Sequence, residues 1–365
     1  MKHVNIPIFV PHVGCPFTCI FCNQRHIASQ QEPLSPSAIP ELVEQYLATI
    51  PPGSEIEIAF FGGSFTMMDI SLQEAYLSQV YPYLQKDVVK GLRLSTRPDG
   101  IDPGILELLK KWGVKTIELG VQSCNDEVLA LSGRGIRLEQ IISASRLIKE
   151  YGFKLGIQLM VGLPGDNRHK DLATARITIG MQPDMVRIYP TLVIAGTELA
   201  RQWQQGSYQE LGLAEAISIC GQMLLLFQYH CIPVIRLGLQ PSQDLQPGQT
   251  LLAGPYHPAF GELVQQHIFY QQAHELLQDA GVLSRQDRPV RLLVNPRDLS
   301  RLIGHRRRNL ARLQEQLGKG MLRVIPSEDL APDSISLNYN GDSEGITLTR
   351  PDFIRRLIER GILPQ

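Results

Sequence analysis

The chain has 365 residues, 43% hydrophobic and 19% charged, with a formal net charge of −1. That length can bury one large core and one or two smaller ones. A charge balance this close to zero excludes a globally basic nucleic-acid binder or a binder of acidic membranes, so any basic surface must be local. No apolar run approaches the about 20 residues of a membrane span. The opening stretch, MKHVNIPIFVPHVGC, has no basic-then-apolar leader, so a cytoplasmic protein without membrane contact is expected.

Short apolar runs alternate with amphipathic segments from residue 5 to about 240. Strands are expected at Asn5–Val10, Glu55–Phe60, Leu92–Thr96, Lys115–Gly120, Lys154–Met160 and Met185–Tyr189. Helices are expected at Ser37–Ala48, Leu72–Leu84, Pro103–Trp112, Glu127–Ser132, Leu138–Glu150 and Lys170–Gly180. Six βα units in a row predict an α/β fold with a parallel sheet and helices outside it. Right-handed crossovers would wind residues 1–240 into a barrel or partial barrel. A helix over Ala214–Tyr229 and a strand-like run over Ile232–Leu239 follow. Residues 241–288 read as a linker, rich in Gly, Pro and Gln, with a helical extension over Ala259–Ala280. Residues 289–365 read as a separate small α+β unit of order β-α-α-β-β-α, with strands at Val290–Asn295, Met321–Ile325 and near Ile346–Thr349.

In a parallel barrel, chemistry sits at the C-terminal ends of the strands. The informative motifs fall there: VGCPFTCIFCNQ after the first strand, then FFGGSFT, STRPD, GVQS, MVGLPGD and YPTLV. Cys15, Cys19 and Cys22 have the spacing C-x3-C-x2-C. Three thiolates on one loop can hold three irons of a 4Fe–4S cube and leave the fourth open to a ligand, which points to chemistry rather than electron storage. The rival is a structural zinc site completed by His12 or His26. It is opposed by aromatic Phe21 before Cys22 and by the Gly-rich loops at neighbouring strand ends. Cys124, Cys220 and Cys231 are scattered and read as ordinary buried thiols. Glycines at Gly62 and Gly63 let backbone approach a ligand, Arg97 offers a fork of donors for a carboxylate, and alternation places Glu118, Gly120 and Gln122 on one face.

The cysteine loop, with an aromatic residue before its third cysteine, resembles the signature of the radical S-adenosylmethionine (SAM) superfamily. The resemblance implies a 4Fe–4S cluster on Cys15, Cys19 and Cys22, and SAM bound at its open iron. It further implies one-electron cleavage of SAM to a 5′-deoxyadenosyl radical and an electron donor such as flavodoxin or ferredoxin. Phe21, Gly62, Gly63, Ser64, Thr96, Arg97, Gln122, Gly162, Ile188 and Tyr189 are the residues expected around SAM. The cofactor carries the hard chemistry and the protein positions it.

LSTRPD, IELGVQS, SGRG and VRIYPTLVIAGTEL followed by GSY resemble the radical-SAM domain of the Elongator catalytic subunit family over roughly residues 5–240. That implies a partial (β/α)6 barrel and a link to modification of wobble uridines in tRNA, with no DNA partner expected. The chain departs from that family in its compact cysteine spacing and in Ser95, where the family commonly has Glu. Residues 289–365 lack the R/Q-x-x-G-x-G/A acetyl-CoA loop, so acetyl transfer is not carried over. Their order matches a KH fold, with Gly304-His305-Arg306-Arg307-Arg308 standing where KH domains clamp phosphates. Arg307 replaces the second glycine of that clamp. Gly304, Arg306, Arg307 and Arg308 are the expected RNA contacts, in a basic patch with Arg297, Arg301 and Arg312. Two other readings compete. One is small-molecule chemistry like that of oxygen-independent coproporphyrinogen oxidases; the other is a non-enzymatic, cluster-bearing RNA sensor.

Overall fold

The computed structural model describes residues 3–10, 14–15, 19–23, 34–239, 248–285, 289–318, 321–339 and 345–364. The chain divides into two units, residues 1–212 with 232–256 and residues 213–231 with 257–365.

The strands of the first unit are β1 (His3–Phe9), β2 (Glu55–Phe61), β3 (Gly91–Thr96), β4 (Val114–Gln122), β5 (Lys154–Val161), β6 (Met185–Pro190), β7 (Val193–Ile194), β8 (Val234–Leu237) and β9 (Leu251–Ala253). Seven of them form one sheet in the order β1-β2-β3-β4-β5-β6-β8. Every neighbouring pair in it is parallel. The unit is the partial barrel of the sequence reading, extended by β8, a strand beyond the six βα units. The chain turns cleanly at several strand ends because the next helix is capped there. The side chains of Asp102, Asn125, Asn167 and Thr197 accept from the backbone amides of Ile105, Val128, Lys170 and Ala200. Each cap satisfies a donor that a helix start would otherwise leave unpaired. β7 and β9 form a small antiparallel pair just beyond the end of β6.

In the second unit the helices Leu213–Tyr229 and Phe260–Asp279 pack on one another. The first of these is apolar on most faces, burying Ile219, Met223 and Phe227 among others. It therefore joins this unit rather than the barrel to which its place in the chain assigned it. The strands β10 (Val290–Val294), β11 (Leu322–Pro326), β12 (Ser334–Tyr339) and β13 (Ile346–Thr349) form a sheet ordered β11-β10-β12-β13. β10 and β11 run parallel, the other pairs antiparallel. β12 is an extra strand relative to the β-α-α-β-β-α expectation. The helix Arg308–Leu317 buries Leu310, Leu313 and Leu317, one stripe at helical spacing, and presents its arginines outward.

Within the barrel sheet, alternation sorts the side chains. Ile58, Phe60, Leu92, Leu94, Ile117, Leu119, Leu155 and Leu159 are fully buried on the helix-covered side. The opposite side carries charge. Arg93 lies 2.7 Å from both Glu57 and Glu118, and Arg187 reaches Glu118 at 2.9 Å. Arg187 also stacks over the Phe61 ring at 4.9 Å. Burying one member without its partners is costly. Arg93→Leu should lower unfolding stability by about 3–5 kcal/mol, read from the urea midpoint. Adding Glu57→Gln should recover part of that loss, because it removes a buried carboxylate left with only His3 beside it.

Candidate active site at the strand ends

The cysteine loop has no helix or strand of its own among the described residues, and its neighbours hold it. Gly14 has φ +76°, and a Cβ there would lie 2.2 Å from the Ser64 carbonyl oxygen, so only glycine lets this loop press onto the FGGS turn. The Ser64 amide donates to Cys15. Ile20 is bracketed on both sides: its amide donates to the Ser132 carbonyl at 3.2 Å, and its carbonyl accepts from Leu199 at 2.8 Å. Asn23 Nδ2 donates to the Ala195 carbonyl at 3.1 Å. Cys19 is buried, while Cys15 and Cys22 are half-buried; none of the six cysteines is in a disulfide. Arg134 Nη1 lies 3.0 Å from Cys19 Sγ and Arg97 Nη1 lies 3.9 Å away. Burial pushes the Cys15 thiol above its ordinary value, and neighbouring Cys19 adds to this; Arg97, Arg134 and the Ser64 amide oppose it.

The other expected residues gather at the same edge of the sheet, several with altered roles. Gly62, with φ +100°, opens the turn after β2 and leads into Gly63. Ser64 Oγ lies 2.9 Å from Thr96 Oγ1, which is 2.6 Å from Thr66 Oγ1. These hydroxyls bind one another and tie the ends of β2 and β3. The fork of Arg97 grips Asp99, Nε and Nη2 each at 2.9 Å, and Nη2 also donates to the Arg134 carbonyl at 2.6 Å. Gln122 adopts φ 72° at a register shift in β4. There it accepts from Gln158 Nε2 at 3.3 Å. A bulge of this kind re-aims a side chain at a strand end. Ile188 departs from its expected place beside SAM. It is fully buried with Val186 and Pro190 on the helix-covered face, while Arg187 and Tyr189 share the other. Phe21 packs with Trp203 and Leu252 against Val193, Leu199 and Tyr208, which steadies the loop. Cys124 and Cys220 are buried as expected, but Cys231 is exposed, in a turn where its φ is 56°.

Gly162 is held from two sides. Tyr208 donates to its carbonyl at 2.8 Å, and its amide donates to Asp171. Asp171 lies beside Asp166. Burial raises Asp171 well above the usual carboxylate range, and the adjacent Asp166 adds to the rise. Sequence reasoning missed Asp171, Tyr208 and Arg134. The last was visible as SGRG: Gly133 and Gly135, with φ 66° and 65°, flank the arginine and turn it inward.

His12 and His26, the rival zinc ligands, lie outside the described residues. Among the described residues no group of three or more His, Cys, Asp or Glu side chains is set for a single metal ion. A cube distributes its three thiolates over three irons, so it does not ask for that convergence.

The Radical SAM superfamily profile matches residues 9–176, and the Radical SAM C-terminal domain profile matches residues 183–269. This chain belongs to the radical SAM superfamily. The cofactors of that family are a 4Fe–4S cluster and SAM. It is similar to the tRNA uridine(34) acetyltransferase of Dehalococcoides mccartyi, 28% identical over 56% of this chain and 52% of that protein. It is also similar to Elongator complex protein 3 of Homo sapiens, 24% identical over 47% of this chain and 35% of that protein. The chain thus spans about half, or less, of the length of these relatives. The structure of the archaeal Methanocaldococcus infernus Elp3 shares the fold, with a TM-score of 0.58 at 24% identity over 77% of this chain and 63% of that one.

The donor set fits this superfamily's cofactors. Three thiols outside disulfides share one loop, two guanidinium groups approach the buried one, and Arg134 Nε is buried without an acceptor. The raised Asp171 carboxyl gives a pH test. A carboxyl raised above its unfolded value stabilises the fold below the ordinary carboxylate pKa, about 4, and loses that contribution as pH rises through the raised value. The thermal midpoint of Asp171→Asn should therefore fall less than that of wild type between about pH 5 and about pH 8. Parallel curves would mean that Asp171 is not raised in the folded protein.

Proposed function

We propose that this radical SAM enzyme modifies RNA, tRNA in particular. The observation that carries the reading is the exposed loop Arg306-Arg307-Arg308, in a chain whose barrel is similar to proteins named for tRNA uridine(34). Cys15, Cys19 and Cys22 would hold the cluster. The glycine backbone of Gly62 and Gly63, with Gln122, Gly162 and Tyr189, would hold SAM, while the Ser64 amide would steady Cys15. Thr96 and Arg97 act one step back, by fixing Ser64 and Arg134. When bound, the cluster and SAM supply a one-electron cleavage that yields a 5′-deoxyadenosyl radical; flavodoxin or ferredoxin is the expected reductant.

The chain's own residues do the rest. The carboxylate-paired Arg93 and Arg187 hold the floor of the concave face, and Gln158 and Gln122 line it toward the strand ends. Such fixed dipoles need no reorganisation when a polar substrate enters. In the second unit, Gly304 meets Asn309 so closely that a Cβ would stand 2.8 Å from its side chain. The His305 amide donates to Gln266 at 2.7 Å. The loop then passes through left-handed φ values of 51° at Arg306 and 60° at Arg307. Arg306, Arg307 and Arg308 are all exposed, where phosphates can reach them.

Anaerobically reconstituted protein with SAM and reductant should release 5′-deoxyadenosine, and Cys15→Ala, Cys19→Ala and Cys22→Ala should each abolish it. Full retention in any of the three would show that the ligand set is different. Wild type should bind tRNA with a steep salt dependence. The Arg306/Arg307/Arg308→Ala variant should have a log–log salt slope shallower by about 3. Negligible, salt-insensitive binding by both proteins would sink the RNA reading. Nucleoside mass spectrometry of tRNA from cells with and without the gene would identify the modified base.

A further inference from the structure

The buried and half-buried arginines of the first unit differ in one respect. Arg93 is paired with Glu57 and Glu118, Arg187 with Glu118, and Arg97 with Asp99. Arg134 is deeply buried, at 4% exposure, yet among the described residues no carboxylate forms a salt bridge with it. Its Nη2 donates to the Gly120 carbonyl, its Nη1 to Cys19 Sγ at 3.0 Å, and its Nε has no acceptor. A buried guanidinium without a counter-charge is unstable unless something anionic completes it. The ionisable side chain it touches is a cysteine of the three-cysteine loop.

The side chain is also held in place. Glycines with positive φ flank it, Arg97 grips its carbonyl, and Gly120 near the end of β4 takes one of its donors. The adjoining Ser132 carbonyl receives the amide of Ile20, the residue next to Cys19. Arg134 and the cysteine loop are therefore set against each other by backbone contacts as well as by the sulfur contact.

We propose that Arg134 is the positioning and charge-compensating residue of the cluster, its Nη1–H donating to the Cys19 thiolate and its uncommitted Nε–H serving a second anionic acceptor of the bound cofactors. This rests on Cys15, Cys19 and Cys22 being the cluster ligands. Three thiolates make the assembly anionic, and reduction adds one more negative charge. A fixed cation and a charge-assisted hydrogen bond to a ligand sulfur favour the reduced form and raise the potential. Arg134 thus eases entry of the electron without touching the substrate.

The test is the midpoint potential of the reconstituted cluster, measured by dithionite titration with mediators and EPR detection, alongside iron content. Arg134→Met should retain iron but disfavour one-electron reduction by about tenfold, which is a potential about 59 mV lower. Arg134→Lys, which keeps the charge, should recover most of that shift. An unchanged potential in an iron-replete Arg134→Met protein would overturn the proposal.

Should Arg134→Met fail to hold a cluster, wild type labelled with 15N-arginine answers the same question. Pulsed EPR of the reduced cluster should show a 15N coupling that disappears in Arg134→Lys. Absence of that coupling in wild type would overturn the proposal. Iron content of Cys19→Ala keeps the two claims apart. An intact cluster there would refute the ligand assignment, whereas a Cys19-dependent cluster with an Arg134-independent potential would refute only the role of Arg134.

Discussion

Parallel pairing is the constraint on which the rest of the first unit depends. Seven strands running the same way bring all their C-terminal ends to one edge, so loops far apart in sequence become neighbours without any of them being long. The cysteine loop draws on this directly. Its backbone groups are paired by residues that follow β4 and β6: Ser132 for the Ile20 amide and Leu199 for the Ile20 carbonyl. A loop so held presents its sulfurs with, among the described residues, no helix or strand of its own.

The same sheet separates two chemistries. One face is aliphatic and covered by helices; the other carries Glu57, Arg93, Glu118 and Arg187 in a connected ion network. Charges buried this way are tolerated only when each finds its opposite. Toward the strand ends, hydroxyls and amides replace charges: Ser64 with Thr96 and Thr66, and Gln122 with Gln158. The concave face thus passes from a fixed ionic floor to a polar rim, a gradient suited to a polar ligand held at the mouth. The second unit is built differently, with an amphipathic helix over a mixed sheet and an exposed arginine turn at the helix start.

Much of the architecture was legible in the pattern of residues. Alternating apolar runs and amphipathic segments located the six strands and their helices, and the motifs that follow the strands do gather at one edge of the sheet. The misses share a cause: a contact that local pattern does not encode. Arg97 looked ready for a ligand carboxylate because nothing in STRPD says that Asp99 folds back onto its fork. Ile188 and Tyr189 are adjacent, and only the pleat of β6 decides which of them faces the helices. Ser64 and Thr96 satisfy one another across two strands. The helix Leu213–Tyr229 follows the barrel in the chain but packs on Phe260–Asp279, because burial of its apolar faces outweighs sequence proximity.

Sequence alone determined the three-cysteine spacing, the parallel α/β class and the set of strand-end loops, because these depend on local period and on residue type. It also determined that an arginine between two glycines follows the fourth strand. Tertiary structure decided what that arginine does. Burial removed its access to water, no carboxylate among the described residues pairs with it, and the stitched loop brought Cys19 to its guanidinium. Charge compensation in a low-dielectric interior depends on which groups meet in space, and no spacing along the chain encodes that meeting.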